Sequence, residues 1–166
     1  MMARSTLMRA VVPLAMAVTA VTAVTAATTV TSTPALAKAR HKPETLEHAL
    51  VHWVNVQRQH KGLPALSPAA DLTAAAHRHT AQMAKTGHVA HNPTLGKEVH
   101  GWLSLGEDVG SAATLHDLEQ AFLADAHDRA NLLGPGFRHI GVGTKVRNGL
   151  LYVTVVTRRP AVASPG

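Results

Sequence analysis

Apolar residues recur with helical spacing in the segment that follows Pro43. Their positions, at i, i+4, i+7 and i+8, are Leu46, Leu50, Trp53 and Val54. This spacing puts all four side chains on one face of a helix. Pro43 suits the first helical position, and Gly62 lies where a helix would stop. The pattern therefore predicts an amphipathic helix over residues 44–60.

A second apolar stripe follows after a short polar break. Its members are Leu72, Ala75, Ala76, His79 and Met83. Ser67-Pro68 is typical of a helix start, with serine as the N-cap and proline after it, and Gly87 is typical of a helix end. Residues 88–101 lack a clean period and contain Asn92-Pro93 and Gly96, so they are predicted to form a loop with one helical turn at most.

A third helix is predicted to begin at Thr114, because Asp117 three residues later makes a variant of the capping box. The residues expected to face inward are Leu115, Leu118, Phe122 and Ala126. The Gly134-Pro135-Gly136 cluster is predicted to end this helix. No break is expected within it.

The apolar period changes from helical to strand-like in the last third of the chain. Residues 140–146 and 150–157 are β-branched runs joined through Asn148-Gly149, a strong hairpin signal, and residues 105–110 are predicted to form a short strand. Glycines at 141 and 143 precede a strand, so they indicate close approach of another element and not a phosphate loop. Helices followed by a hairpin predict an α+β fold, in which helices cover a small antiparallel sheet.

The first 37 residues have the order of a secretory signal peptide. Arg4 and Arg9 precede an apolar run, and Ala35-Leu36-Ala37 offers a cleavage site. An uncleaved anchor is the alternative, since residues 10–30 are long enough to span a bilayer. The predicted organisation is a signal peptide over 1–37, a basic linker over 38–43, one domain over 44–160 and a tail over 161–166.

Composition narrows the function classes. The chain has no cysteine, which excludes thiol nucleophiles, disulfides and cysteine-based zinc sites. Without the signal segment, fourteen basic residues stand against ten acidic ones, a modest excess of +4. Basic residues are scattered and aromatic residues are few, so a nucleic-acid partner is not expected. Twelve histidines give the domain an unusual capacity to change charge between pH 5 and 8.

Four segments resemble the bacterial branch of the CAP superfamily, also called SCP-like extracellular proteins, which includes cysteine-rich secretory, antigen 5 and pathogenesis-related proteins. They are VNVQRQHKGLPAL (54–66), DLTAAAHRHTAQMAKTGHVAHNP (71–93), LGEDVG (105–110) and DRANLLGPGFRHIGVG (128–143). They occur in the family's order. The resemblance implies an α-β-α sandwich with a cleft of two histidines and two acidic residues, which binds zinc in some relatives.

The resemblance places the first histidine of this cleft on His91 and the first acid on Glu107, in a Gly-Glu-Asp where relatives usually have Gly-Glu-Asn. The second histidine normally precedes the RANLL segment, and here Asp128 holds that position. In a continuous helix, which turns about 100° per residue, Asp125 and Asp128 would share a face that His127 does not. The expected metal set is therefore His91, Glu107 and Asp128, with Asp125 as a further member.

One imidazole with two or three carboxylates is a harder donor set than a histidine-rich zinc site, so weaker binding of zinc or another divalent cation is expected. Repulsion among the carboxylates would raise their pKa values unless a cation or Arg129 relieved it. His88 is a secondary candidate ligand in the same loop, and His127 another if the helix changes register. The alternative interpretation is that Asp128 is a solvated residue in a site that has decayed. His79 is predicted to be a hydrogen-bonded core histidine.

The resulting hypothesis is a secreted binding module for lipid or cell-envelope material, with its cleft at His91 and Glu107. No nucleophile with a base and an orienting group can be assembled from the sequence, which lowers the catalytic interpretation. The first alternative is a metal-assisted or acid/base hydrolase of an envelope polymer, using the same two residues. The second is a structural envelope protein without a working site. No stable membrane span is expected after signal cleavage.

Overall fold

The structure is a computed structural model, and it describes residues 43–161. The predicted signal peptide and almost all of the linker, together with the tail beyond residue 161, lie outside the described residues. Residues 39–166 form one compact unit. In the described part, no helix is long and apolar enough to cross a membrane.

The described chain forms five helices and four strands. In order they are α1 Pro43–His60, β1 Ser67–Pro68, α2 Ala70–Thr86, α3 Leu95–Glu98, β2 Trp102–Ala112, α4 Leu115–Ala124, α5 Ala126–Leu133, β3 His139–Arg147 and β4 Leu150–Pro160. The sheet has the order β1-β3-β4-β2, with β1 parallel to β3 and the other pairs antiparallel. Strand β2 is therefore an edge strand, and most of β3 forms the other edge because β1 covers only His139 and Ile140.

The helices cover both faces of the sheet, which confirms the predicted α-β-α sandwich. Helix α2 packs on one face, where Leu72, Ala75 and Ala76 meet Val156. Helices α1, α4 and α5 pack on the other face around Val153 and Val155. Both cores lie within residues 39–166, so this fragment carries what it needs to fold by itself.

Two glycines of β3 explain how closely α2 approaches the sheet. A Cβ atom at Gly141 would lie 2.2 Å from the backbone of Leu72, and one at Gly143 would lie 2.5 Å from the backbone of Ala76. No real side chain tolerates such distances, so the predicted close approach is confirmed. The hairpin turn is confirmed as well, with Asn148 and Gly149 both at positive φ (51° and 79°).

A buried arginine fixes the connection between α5 and β3. The Arg58 guanidinium is fully buried and donates to the carbonyl oxygens of Pro64, Leu132, Gly134 and Phe137. Burial lowers its pKa, and the nearby Arg138 lowers it further. Because these carbonyls belong to three segments, Arg58 ties the end of α1 to the segment that positions α5.

Two predicted features are wrong. Ser67-Pro68 does not begin α2 but forms β1, since Ser67 N–H donates to Arg138 O and Ala69 N–H to Ile140 O. The hydrogen bonds that β3 offers therefore outweigh the local capping signal. The expected unbroken third helix divides into α4 and α5 at Asp125, whose ψ of 133° is extended. Strand β2 is also longer than the predicted residues 105–110.

Candidate functional site

The candidate site is divided by strand β2, because neighbouring residues of a strand point to opposite faces. Glu107 lies opposite Val156, whose side chain belongs to the core beneath α2. Asp108 lies opposite Val155, which belongs to the core beneath α1, α4 and α5. Two acids adjacent in sequence therefore serve different faces of the sheet at its free edge.

On the α2 face, Glu107 holds the loop that carries His91. Its Oε2 accepts a hydrogen bond from the Asn92 backbone N–H at 2.8 Å and lies 3.0 Å from His91 Nδ1. The Glu107 side chain is 7% exposed, whereas that of His91 is 60% exposed. Because the Glu107 oxygen is an acceptor in this contact, we expect a neutral His91 ring to carry its proton on Nδ1 and to keep a lone pair on Nε2. Glu107 thereby orients an imidazole whose second nitrogen is available to a ligand.

The other oxygen of Glu107 is the unusual feature of this face. Oε1 is buried and has no hydrogen-bond partner. The nearest cationic candidate is His79 Nε2 at 4.0 Å, but that nitrogen lies 2.6 Å from Ala90 O and is engaged there. This contact confirms the prediction of a hydrogen-bonded His79. A buried polar atom without a partner typically costs about 1–3 kcal/mol, and more when charged, so this position favours a donor group.

The loop that presents His91 is held by polar contacts of its own. Gly87 in the left-handed conformation ends α2, as predicted. Asn92 accepts from Thr94 N–H through Oδ1 and donates to Glu98 Oε1 through Nδ2. Hydrogen bonds from Asn92, Arg78 and Thr94 lower the pKa of Glu98 to about 2. The loop therefore has a defined conformation. The predicted secondary ligand His88 is exposed, and its backbone N–H bonds to Thr86 Oγ1.

On the opposite face, Asp108 and Asp128 form a carboxyl pair. Asp108 is fully buried, and its Oδ1 accepts from Asn131 Nδ2 at 2.7 Å. Burial raises the pKa of Asp108 to about 8, and the charges of Asp128 and Glu107 contribute to the rise. Burial also raises the pKa of Asp128, while the hydrogen bond with Asp108 lowers it. Both pKa values are raised, so the two carboxyl groups are expected to share one proton at neutral pH.

Glycine is required beside this pair. A Cβ atom at Gly106 would lie 2.6 Å from Thr157 Oγ1 and 2.7 Å from Asn131 Oδ1. The missing side chain lets α5 approach β2 closely enough for Asn131 to reach Asp108. Neither Asn131 nor the pairing of Asp108 was expected from the sequence. The alternation of side chains along β2 could have placed Asp108 on the face away from Glu107.

The remaining predicted residues shape the junction of α4 and α5. Asp125 caps α5, accepting from the backbone N–H groups of His127 and Asp128 at 2.7 and 3.0 Å, and these bonds lower its pKa. Arg129 donates to the carbonyl oxygens of Leu123 and Ala124 at the end of α4. His127 is exposed. The spacing Asp-x-x-Asp at 125–128 is the capping signal that could have revealed the helix break.

The predicted metal set is distributed, not gathered. In residues 43–161, no group of three or more histidine and acidic side chains is arranged to hold a metal ion. Glu107 and His91 engage each other, Asp128 pairs with Asp108, and Asp125 is a helix cap. The donors as arranged do not fit the four-ligand cleft that the resemblance implies. Zinc binding stays a prediction.

Comparison with known proteins identifies a family model that matches most of the domain. The family model described as CAP, the cysteine-rich secretory protein family, matches residues 51–157. Comparison with curated protein sequences gives no match.

Solved structures show the same fold. An extracellular protein with an SCP domain from Bacillus anthracis str. Ames has 23% identity and a TM-score of 0.61, over 70% of this chain and 41% of its own. An outer surface protein from Borrelia burgdorferi has 15% identity and a TM-score of 0.64, over 69% of this chain and 92% of its own. A cysteine-rich secretory protein from Staphylococcus aureus has 19% identity and a TM-score of 0.60, over 72% of this chain and 40% of its own. This chain thus spans less than half of the Bacillus and Staphylococcus chains.

Proposed function

Because this chain belongs to the CAP, or cysteine-rich secretory protein, family, we propose that it is an exported binding module whose ligand site is the His91–Glu107 cleft. Export is supported by the signal-like order of residues 1–37 and by relatives described as extracellular and outer-surface proteins. The proposed ligand is lipid or other cell-envelope material.

The observation that carries this proposal is the unequal use of the Glu107 carboxylate. Oε2 has two partners, whereas Oε1 is buried with none. Because Oε1 is buried, a ligand hydroxyl or amine could supply the missing donor once the exposed His91 ring moves aside, and the lone pair of His91 Nε2 could accept a second hydrogen bond. A hydrogen bond to a charged group contributes about 1.5–3 kcal/mol, enough to select such ligands over purely apolar ones.

Sedimentation of the 39–166 fragment with two separate envelope preparations tests this proposal. One preparation is insoluble cell-wall polymer and the other is vesicles of extracted envelope lipid. We expect Glu107→Gln and His91→Ala to reduce the bound fraction with one of them at least about tenfold, the equivalent of ~1.4 kcal/mol. Glu47→Gln is the matched control, because Glu47 forms a similar pair with His77 elsewhere. Equal binding by all four proteins would remove the cleft from the ligand site.

The hydrolase alternative has one observation in its favour. A buried carboxylate that orients an imidazole through Nδ1 leaves Nε2 as a proton acceptor, which is the arrangement of a general base. No side-chain hydroxyl of residues 43–161 is hydrogen-bonded to His91, so the base would have to act on water. Turnover of an envelope polymer by the fragment that His91→Ala abolishes would favour this alternative over simple binding.

For zinc, we propose weak binding at most in this arrangement. Calorimetric titration of zinc into the fragment at pH 7.5 should give no tight saturable site, because Asp128 is paired with Asp108 and no third donor of residues 43–161 is arranged with His91 and Glu107. A tight site that His91→Ala removes, and Glu47→Gln keeps, would show that the cleft rearranges around the ion.

A further inference from the structure

Two large apolar side chains are exposed side by side at the start of β2. Trp102 is 41% exposed and Leu103 is 53% exposed. The other exposed large hydrophobics of the described chain, Val146 and Leu150, flank the β3–β4 turn at the opposite end of the sheet. Adjacent exposed apolar residues beside a ligand-binding loop are more informative than single ones.

The backbone holds this pair in place. The register between β2 and β4 shifts between Trp102 and Ser104, so Leu103 is the extra residue of a bulge. Bulges re-aim side chains at the edges of sheets. The Trp102 ring lies on α3, where a Cβ atom at Gly96 would be only 3.2 Å from Cζ2, and its indole N–H donates to Gly96 O at 3.4 Å. The ring is therefore presented in a fixed orientation.

The charges around the pair are predominantly basic. Lys97 and His100 are exposed and flank the pair along the chain. Two acids of the neighbouring helices are already engaged, Glu98 of α3 by Arg78 at 2.8 Å and Asp71 of α2 by Arg158. An approaching surface thus meets an indole, an isobutyl group, an imidazole and the ammonium group of Lys97. Tryptophan is suited to a membrane interface because its ring is apolar and its N–H is polar.

We propose that Trp102, Leu103, Lys97 and His100, together the Trp102 patch, dock the domain on an anionic lipid surface. The apolar pair inserts among the lipid headgroups, and Lys97 is attracted by their negative charge. The patch is separate from the His91–Glu107 cleft, since Trp102 precedes Glu107 by five residues on the same strand. Docking by so few groups is weak and reversible, and it would bring the cleft to the envelope where its ligand is found.

Fluorescence of the 39–166 fragment tests this docking. The variant Trp53→Phe leaves Trp102 as the sole tryptophan. We expect its emission to shift to the blue with phosphatidylglycerol-containing vesicles, and lipids brominated near the headgroup to quench it. Vesicles of phosphatidylcholine alone should have a much smaller effect, and added salt should weaken the shift. The fragment is used because the apolar stretch of residues 10–30 could itself bind vesicles.

Variants distinguish vesicle binding through the Trp102 patch from non-specific electrostatic binding. Trp102→Ala should reduce sedimentation with anionic vesicles at least about tenfold, and Lys97→Gln about fivefold, the equivalent of ~1 kcal/mol per basic residue. Leu150→Ala, at the other exposed apolar site, is the matched control and should bind normally. Glu47→Gln, which lies outside both the patch and the cleft, should also bind normally. Because Trp102→Ala leaves His91 and Glu107 unchanged, failure of the cleft proposal is distinguishable from failure of this one.

Three outcomes would overturn the proposal. The first is vesicle binding without any change in Trp102 emission. The second is equal loss of binding in Trp102→Ala and Leu150→Ala. The third is an emission shift with a soluble polyanion but not with vesicles, which would assign the patch to an acidic polymer or protein.

Discussion

The two edges of the sheet each carry a glutamate–histidine pair, and the pairs differ in how the carboxylate is used. At the β3 edge, Glu47 Oε1 lies 2.9 Å from His77 Nε2 and accepts from the backbone N–H and the hydroxyl of Thr144. This single oxygen joins α1, α2 and β3. At the β2 edge, Glu107 Oε2 has two partners and Oε1 has none.

The difference teaches which pair is structural. Glu47 supplies an acceptor to the edge strand β3. Its carboxylate also links α1 and α2, which lie on opposite faces of the sheet. Glu107 holds the His91 loop through Oε2 alone, and its buried Oε1 would lower stability unless water or a ligand supplies a donor. Proteins tolerate such a cost mainly where a function requires it. Both pairs are contacts between a glutamate and a histidine of distant segments, and the partners of each carboxylate oxygen distinguish them.

The largest expected effect concerns pH and the β2 edge. Asp108 has a folded-state pKa raised to about 8, so the native state keeps a proton that the unfolded chain releases above about pH 4. Its contribution to stability is therefore complete below that pH and is lost as pH rises through 8. Asp108→Asn should remove a slope of up to ~1.4 kcal/mol per pH unit between pH 5 and 7.

Urea unfolding of the 39–166 fragment at several pH values measures this slope. An asparagine keeps the acceptor for Asn131 Nδ2 and offers its own amide to Asp128, so the variant should fold normally. A parallel pH dependence in wild type and variant would show that Asp108 is not the group that holds the proton.

The next largest effect separates the two glutamates directly. Glu47→Ala removes an acceptor shared by three donors, so it should lower the free energy of unfolding by about 2 kcal/mol. Thr144 then loses its contacts with Glu47, and α1 loses its link to α2. Urea unfolding at pH 7 gives the value. A loss below about 0.5 kcal/mol would place Glu47 among ordinary surface residues.

Glu107→Gln should change stability by less than about 1 kcal/mol, in contrast to Glu47→Ala. The amide keeps an oxygen for Asn92 N–H and removes a buried charge that has an unsatisfied oxygen. The same urea titration applies. A loss as large as that of Glu47→Ala would mean that Glu107 is also a structural group, and the contrast between the two edges would disappear.

The sequence predicted those features that short segments determine. Asn148-Gly149 specifies its turn through two positive φ angles, Gly87 ends α2, and Gly141 marks the approach of a helix. Ser67-Pro68 was misjudged because distant β3 recruits it as a strand. Local capping rules contain no information about such a partner.

For the candidate site too, the sequence predicted some contacts and missed others. The resemblance brought His91 and Glu107 to notice, and the structure places them in contact. The pairing of Asp108 with Asp128 depends on where α5 lies against β2, a relation between segments about twenty residues apart that no local pattern encodes. The break at Asp125 was encoded locally but was hidden by the apolar stripe that continues through it.

The smallest expected effect is a difference in tautomer between the two histidines. His77 contacts Glu47 through Nε2, whereas His91 contacts Glu107 through Nδ1. Because each carboxylate requires a donor, neutral His77 should carry its proton on Nε2 and neutral His91 on Nδ1. Long-range nitrogen–proton correlation NMR at a pH where both rings are neutral distinguishes these forms, and His77→Gln and His91→Gln assign the signals.

The tautomer decides what each ring can offer. An Nδ1–H form of His91 leaves Nε2 as an acceptor at the exposed side of the cleft, as the proposed ligand site requires. In Glu107→Gln the imposed preference should weaken, while the signals of His77 stay unchanged. If His91 instead carries its proton on Nε2 in the wild-type protein, Glu107 does not orient the ring. The contrast between the two edges would then no longer support a ligand site at β2.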